Sequence, residues 1–401
     1  MKKQILINGI TLLTEKKRTN SIIIMLTVKV GSNDEPDNIR GVSHFLEHLV
    51  FDGTKKRTAK QISRDIESVG GEVNAYTTNE RTSFYVKVPA KYFDIGLDVI
   101  SGCLKEPLLE KEYVEKERGI ILSEHDMYID NPMYYSIYFF MSRLFKNHNA
   151  RYPVIGDKIT LAKITRENIY NYFIENYITK NLIVTLVGDI PKDGENKVIE
   201  TFKDFRTGVV KEKKDFKEPE QTKKEEYIEK RKIDHSYIIL GYKVPSRNNE
   251  DSYVLDIMSV IFGGISSSRL FEEIRTKKGL GYAVMSYYEG NRDYGYFAAK
   301  VTADKKNIDQ CKKIMIDEFE KIKNVTNGEL NDAKRYYEGQ YLLDNDDNFK
   351  WADTMASVET LKDVKLLNSF LDKIRKVTKE DINRVANKYF NGNHCCVILS
   401  Q

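Results

Sequence analysis

The chain has 401 residues, more than one hydrophobic core usually holds, so two cores are expected. Its 64 basic and 60 acidic side chains nearly cancel, at +4, and are interspersed rather than gathered into arms or tails, so no nucleic-acid partner is expected. No stretch approaches the roughly 20 apolar residues that cross a bilayer, and Cys103, Cys311, Cys395 and Cys396 lack metal-type spacing. A soluble, cytoplasmic protein with no membrane partner is the expectation.

In chain order, MKKQILINGITLL (1–13) reads as a strand, because Asn8 and Gly9 interrupt its apolar run and no small-residue cleavage site follows. SIIIMLTVKVGS (21–32) is a second strand closed by turn formers. A helix should follow, and it contains HFLEH (44–48). Four residues advance a helix about 40° beyond one turn, so His44 and His48 share a face and could reach one metal ion, with Glu47 beside them. Two imidazoles plus a carboxylate suit zinc with an open fourth position, and Glu47 would then be the general base.

TSFYVKVPAKYFDIGLDVISGCL (82–104) runs from strand through turn into an amphipathic helix. In EYVEKERGIILSEHDMY (112–128), Glu117 and Glu124 are seven apart and share a helix face with Val114 and Ile121. Acidic groups on an apolar stripe need a partner, which a zinc ion would provide. Seven residues span about 10 Å of helix, so one carboxylate is a ligand and the other supports it; spacing does not say which.

The second half then repeats the first. SYIILGYKVPS (236–246) answers to 21–32, YGYFAAKVTADKKNIDQCKKIMI (294–316) to 82–104, and KVTKEDINRVANKYFNGNHCCVILS (376–400) to KITRENIYNYFIENYITKNLIVTLVGD (163–189). The helix N-caps Thr165 and Thr378 lie 213 positions apart. The expected fold is α+β: two homologous domains, each a mostly antiparallel sheet with helices packed on one face. Their expected extents are 1–212 and 229–401, joined by a Lys- and Glu-rich solvated linker at 213–228. The second copy, with NGELNDAKRYYEGQYLL (327–343) in place of the acidic helix, lacks both motifs, so one zinc per chain is expected, in the first half only.

These segments together resemble the inverted-motif zinc peptidases of the pitrilysin and insulinase family, particularly short members related to mitochondrial processing peptidase. The likeness rests on GVSHFLEHLVFDGTKKRTAKQI, GGEVNAYTTNERTSFYVKV, EKERGIILSEHDMYIDNP, RYPVIGD, LIVTLVGDI and SSRLFEEIRTKKGLGYAV, in that order. The resemblance implies that Glu124 is the third zinc ligand and Glu117 a second acidic residue needed for activity. Glu47 matches the base. Asn74, Ala75 and Tyr76 match a sheet edge that pairs with extended substrate. Arg275 and Tyr282 match a pair that contacts substrate and helps stabilise the tetrahedral intermediate. A zinc endopeptidase acting on unfolded peptides or leader segments is implied, as a homodimer or as a heterodimer with a homologous chain. The alternatives are a subunit of a heteromeric processing peptidase, used in peptide maturation, and a non-catalytic structural paralogue.

Overall fold

A computed structural model describes all 401 residues, which form two compact units. The first is built on strands β1 (Lys2–Ile5), β2 (Thr11–Lys16), β3 (Ser21–Val28), β4 (Glu72–Thr77), β5 (Thr82–Pro89) and β6 (Leu182–Gly188), in the order β1-β2-β6-β3-β5-β4. Only β2 and β6 pair parallel. The first thirteen residues, expected as one strand, fold as two. Gly9 takes a left-handed φ of +93°, and the Leu6 and Gly9 amides close a three-residue hairpin loop, Ile7-Asn8-Gly9. What reads as an interruption is the turn itself.

The second unit holds β7 (Glu225–Lys230), β8 (Ser236–Val244), β9 (Gly281–Gly290), β10 (Gly295–Ala303) and β11 (Cys395–Ser400), in the order β7-β11-β8-β10-β9. Its single parallel pair, β7 with β11, holds the place of β2 with β6. The repeat in the sequence is thus a repeat of topology, and the fold is the expected pair of α+β sheets. The segment expected as solvated linker is partly fastened. The Glu218 carboxylate accepts the amides of Lys146, Asn147 and His148 at 2.7–2.9 Å and pairs with Lys243, and β7 begins at Glu225.

Four helices of the first half lie in chain order as α1 (Val42–Leu49), α2 (Ala59–Glu67), α3 (Phe93–Lys105) and α4 (Lys111–Asp130). Even-numbered residues of β3 (Ile22, Ile24, Leu26, Val28) and of β6 (Leu182, Val184, Leu186) join the core that these helices cover. Strand side chains alternate, so Ile23, Met25, Ile183 and Val187 point the other way, yet they too are buried. Their cover comes from far along the chain: the helix Asn348–Leu361, which packs on β3 and β6 and buries Trp351, Ala352, Met355 and Ala356. Asn348 Nδ2 donates to Ser21 Oγ and to Thr19 Oγ1, both at 3.2 Å.

The second unit is built likewise. Its outer core joins Ile239, Ala298, Cys395 and Val397 to Phe139, Phe140 and Leu144 of α5 (Pro132–Leu144). The units are therefore not two continuous halves: 343–364 belongs to the first and 128–152 to the second.

Residues 1–212 expressed alone should consequently expose the odd-numbered apolar face of β3 and β6, at about 1.5–3 kcal/mol per large side chain. The fragment is expected to aggregate or bind a hydrophobic dye, and to regain cooperative thermal unfolding when a 343–364 peptide is added. Cooperative unfolding of 1–212 without the peptide would contradict this account of its cover.

Candidate active site

The site begins with α1, whose start is fixed by two unusual devices. Gly41, at its N-terminus, has a left-handed φ of +91° and no capping side chain. The buried Glu35 carboxylate supplies the cap instead, accepting the Gly41 N–H at 2.7 Å and the Ser43 N–H at 2.8 Å. On the other side Gly41 meets Gly156, itself at φ +86°. A Cβ on Gly41 would lie 2.5 Å from the Ile155 carbonyl oxygen, and one on Gly156 2.6 Å from that of Arg40. This backbone-to-backbone contact accounts for both glycines and for the RYPVIGD segment.

Val42, Phe45, Leu46 and Leu49 bury one stripe of α1, which leaves His44, Glu47 and His48 on its half-covered side. The histidine ring centroids are 4.8 Å apart. On α4, Glu124 reaches both: its carboxylate oxygens lie 3.8 Å from His44 Nε2 and 3.4 Å from His48 Nε2. Candidate donor atoms of His44, His48 and Glu124 all fall within 4.8 Å of one another. Glu117 sits elsewhere, with Oε2 2.9 Å from His48 Nδ1. Glu124 thus faces the space between the two imidazoles, and Glu117 meets the other nitrogen of the His48 ring. Glu117 is held in turn, because Lys116 Nζ lies 2.9 Å from its Oε1 and 2.7 Å from Asp52.

Electrostatics fit a metal-binding set. Burial, then the neighbouring His48, holds the His44 imidazole down at about 4, so it stays neutral, as a ligand must be. Burial disfavours charge on His48, but its hydrogen bonds to Glu124 and Glu117 outweigh this and raise its proton affinity. The hydrogen bond from His48 lowers Glu124 in spite of burial. Burial pushes the Glu47 carboxyl up, against the Thr77 hydrogen bond and the charge of His48. Two imidazole nitrogens and one carboxylate, with a carboxylate behind one imidazole, are the donor chemistry of zinc, and these residues fit it.

Thr77 is the residue that the sequence reading passed over. Its hydroxyl donates to Glu47 Oε2 at 2.5 Å from the end of β4. The signal was present: Thr77 is two residues past Ala75, hence on the same face of the strand. Asn74, Ala75 and Tyr76 lie on β4, an edge strand with a neighbour on one side only. The Ala75 N–H donates to Asn74 Oδ1 at 2.8 Å. Tyr76 turns its hydroxyl to Asp353, on the face away from Thr77. Arg275 and Tyr282 belong to the second unit. Arg275 ends a helical segment with its guanidinium 4.9 Å from the Phe271 ring centroid. Tyr282 is 56% exposed on edge strand β9, where its hydroxyl donates to Asp304 at 3.2 Å.

The second unit has no copy of the His and Glu set. Where α1 follows β3, the helix Asp251–Ser259 follows β8, and its buried Asp256 is gripped by both Arg247 nitrogens at 2.5 and 3.0 Å. An internal guanidinium neutralises the carboxylate there.

Comparison with known proteins agrees with this asymmetry. Residues 11–158 match the family Insulinase (Peptidase family M16), and 163–337 match the Peptidase M16 inactive domain. An uncharacterized zinc protease of Bacillus subtilis is 27% identical over 397 residues, covering 98% of this chain and 96% of that one. One of Rickettsia felis is 32% identical over 328 residues, covering 80% and 78%. A crystal structure of a protease from Helicobacter pylori superposes with a TM-score of 0.95 at 24% identity, covering 100% of this chain and 99% of that one. With matches running through both halves, and a relative above 30% identity over four fifths of its length, the chain belongs to the insulinase family, peptidase family M16, as a two-domain member.

Proposed function

We propose that the chain is a zinc endopeptidase that hydrolyses unfolded peptides or leader segments, with one zinc held by His44, His48 and Glu124 and with Glu47 as general base. The observation that carries this reading is the convergence of three ligand atoms within 4.8 Å beside a carboxylate fastened by Thr77. Bound there, zinc supplies Lewis acidity toward a scissile carbonyl and makes water more acidic. Glu47, raised by burial, takes the proton of the attacking water on Oε1 while Thr77 holds Oε2, and returns it to the leaving amine. Glu117 keeps the proton of His48 on Nδ1 and its lone pair on Nε2. The open edge of β4 at Asn74, Ala75 and Tyr76 offers main-chain hydrogen bonds to an extended substrate. Arg275 and Tyr282 are proposed donors to the developing oxyanion, and a second copy of the chain is the proposed partner.

Metal analysis of the purified chain should find one zinc, removed by a chelator together with peptidase activity and restored with it. His48→Ala should lose both; stoichiometric zinc in that variant would remove His48 from the ligand set. Glu47→Gln should keep zinc and lose about 100-fold or more in turnover, since an amide cannot accept the proton. Full activity there would sink the assigned base. Glu117→Gln should lower turnover with zinc less affected, because the amide still meets His48.

The role of the second unit has its own test. Arg275→Ala and Tyr282→Phe should each keep full zinc content while turnover falls by about 100-fold, the usual cost of losing an oxyanion donor. Undiminished cleavage by both would leave that unit without a chemical part.

A further inference from the structure

The side chain that fastens the base is itself fastened from the opposite face of the sheet. Along β4, Val73 and Ala75 pack toward the core beneath α1, and Thr77 shares their parity. Tyr76 has the other parity and passes its hydroxyl to Asp353, on the helix Asn348–Leu361. The same Asp353 oxygen accepts Arg81 Nη2 at 2.7 Å, while Arg81 Nη1 donates to Ser357 at 3.0 Å. Arg81 is half-buried, with its guanidinium 5.6 Å from the Tyr76 ring centroid.

One carboxylate therefore grips the residues on both sides of Thr77 and Thr78. The turn joining β4 to β5 is closed by the Thr78 amide on the Arg81 carbonyl at 2.8 Å and by Thr78 Oγ1 accepting the Arg81 amide at 3.1 Å. Gly31 seals its outer side, since a Cβ there would lie 2.4 Å from the Thr78 carbonyl oxygen. Beyond β5 this end has no second neighbouring strand; the Ser32 and Asn33 amides, on the Thr78 and Asn79 carbonyls at 3.1 and 2.9 Å, hold its turn, and the side-chain ties to Asp353 hold it from the opposite face.

We propose that Asp353 is a positioning residue for the reaction: by fastening Tyr76 and Arg81 it fixes the strand end that carries Thr77, and through Thr77 the carboxylate of Glu47. The proposal rests on Glu47 being the base. It places a residue 277 positions beyond Tyr76, in the half of the sequence without the metal motif, in support of the chemistry of the first unit. A displacement of Thr77 by about 1 Å would take its hydroxyl out of hydrogen-bond reach of Glu47 Oε2, and misplacements of that size can cost about 100-fold.

The test pairs Asp353→Ala with Tyr76→Phe. The second variant leaves the Arg81–Asp353 ion pair intact and guards against a simple loss of folding. Each should keep full zinc and lower kcat about 10-fold or more with KM little changed, and the double variant should be no worse than the poorer single one, as for residues acting in one chain of contacts. Hydrogen exchange at the amides of Thr77–Arg81 should quicken in both while β3 and β6 keep their protection. Wild-type kcat together with unchanged exchange at Thr77–Arg81 in Asp353→Ala would overturn the proposal. A wild-type chain with neither zinc nor peptidase activity would overturn the functional reading instead, and the exchange measurement would then decide the fastening by itself.

Discussion

The structure depends most on the angle at which α1 leaves Gly41. A helix of eight residues has little stability of its own, yet it must hold two imidazoles and the Glu47 carboxylate in register with a carboxylate on α4. Glu35 takes two of its unpaired N–H groups, and Gly156 lets the loop 151–157 press against its first turn. Burial pushes the Glu35 carboxyl up to about 7, against the two hydrogen bonds that favour its charge. The Ser43 hydroxyl, 2.8 Å from that of Tyr172, adds a third tie. With the start of α1 fixed and its stripe of Val42, Phe45, Leu46 and Leu49 buried, His44, Glu47 and His48 have one direction left to face.

The two units show what a shared fold does and does not transmit. Apart from β1, which has no counterpart, both sheets have the same strand order and the same single parallel pair, and each has its outer face covered by a helix from the other half of the sequence. The chemistry is not shared. In the first unit the acidic group on α4 finds two neutral-capable imidazoles; in the second, Asp256 finds Arg247 and is neutralised from within. Buried Asp256 has its cation within the chain, whereas half-exposed Glu124 faces two imidazoles and no guanidinium or ammonium group.

How much of this can be read from sequence follows the range of the interaction. His44, Glu47 and His48 are legible because helical spacing alone puts them together. Glu117 and Glu124 are legible as a pair but not as individuals, since their roles depend on which nitrogen of His48 each one meets. Thr77 is legible only once the face of β4 is known. The helix 348–361 shows an apolar pattern, but nothing local says that it covers a sheet formed more than 150 residues earlier, or that its Asp353 reaches Tyr76. Glu218 reads as one more charge in a charged segment until three consecutive backbone N–H groups are found on its oxygens. Asn8 and Gly9 break an apolar run in the sequence and, with Ile7, form the hairpin loop in the fold.

Five polar residues cluster here, and the proposed site holds its metal with three of them, His44, His48 and Glu124. An anomalous difference map collected at the zinc edge from crystals of the zinc-loaded chain tests it most directly. One peak per chain is expected, bounded by His44 Nε2, His48 Nε2 and a Glu124 oxygen, with Glu117 remaining on His48 Nδ1. A peak coordinated by Glu117 in place of Glu124, or lying away from α1, would contradict it.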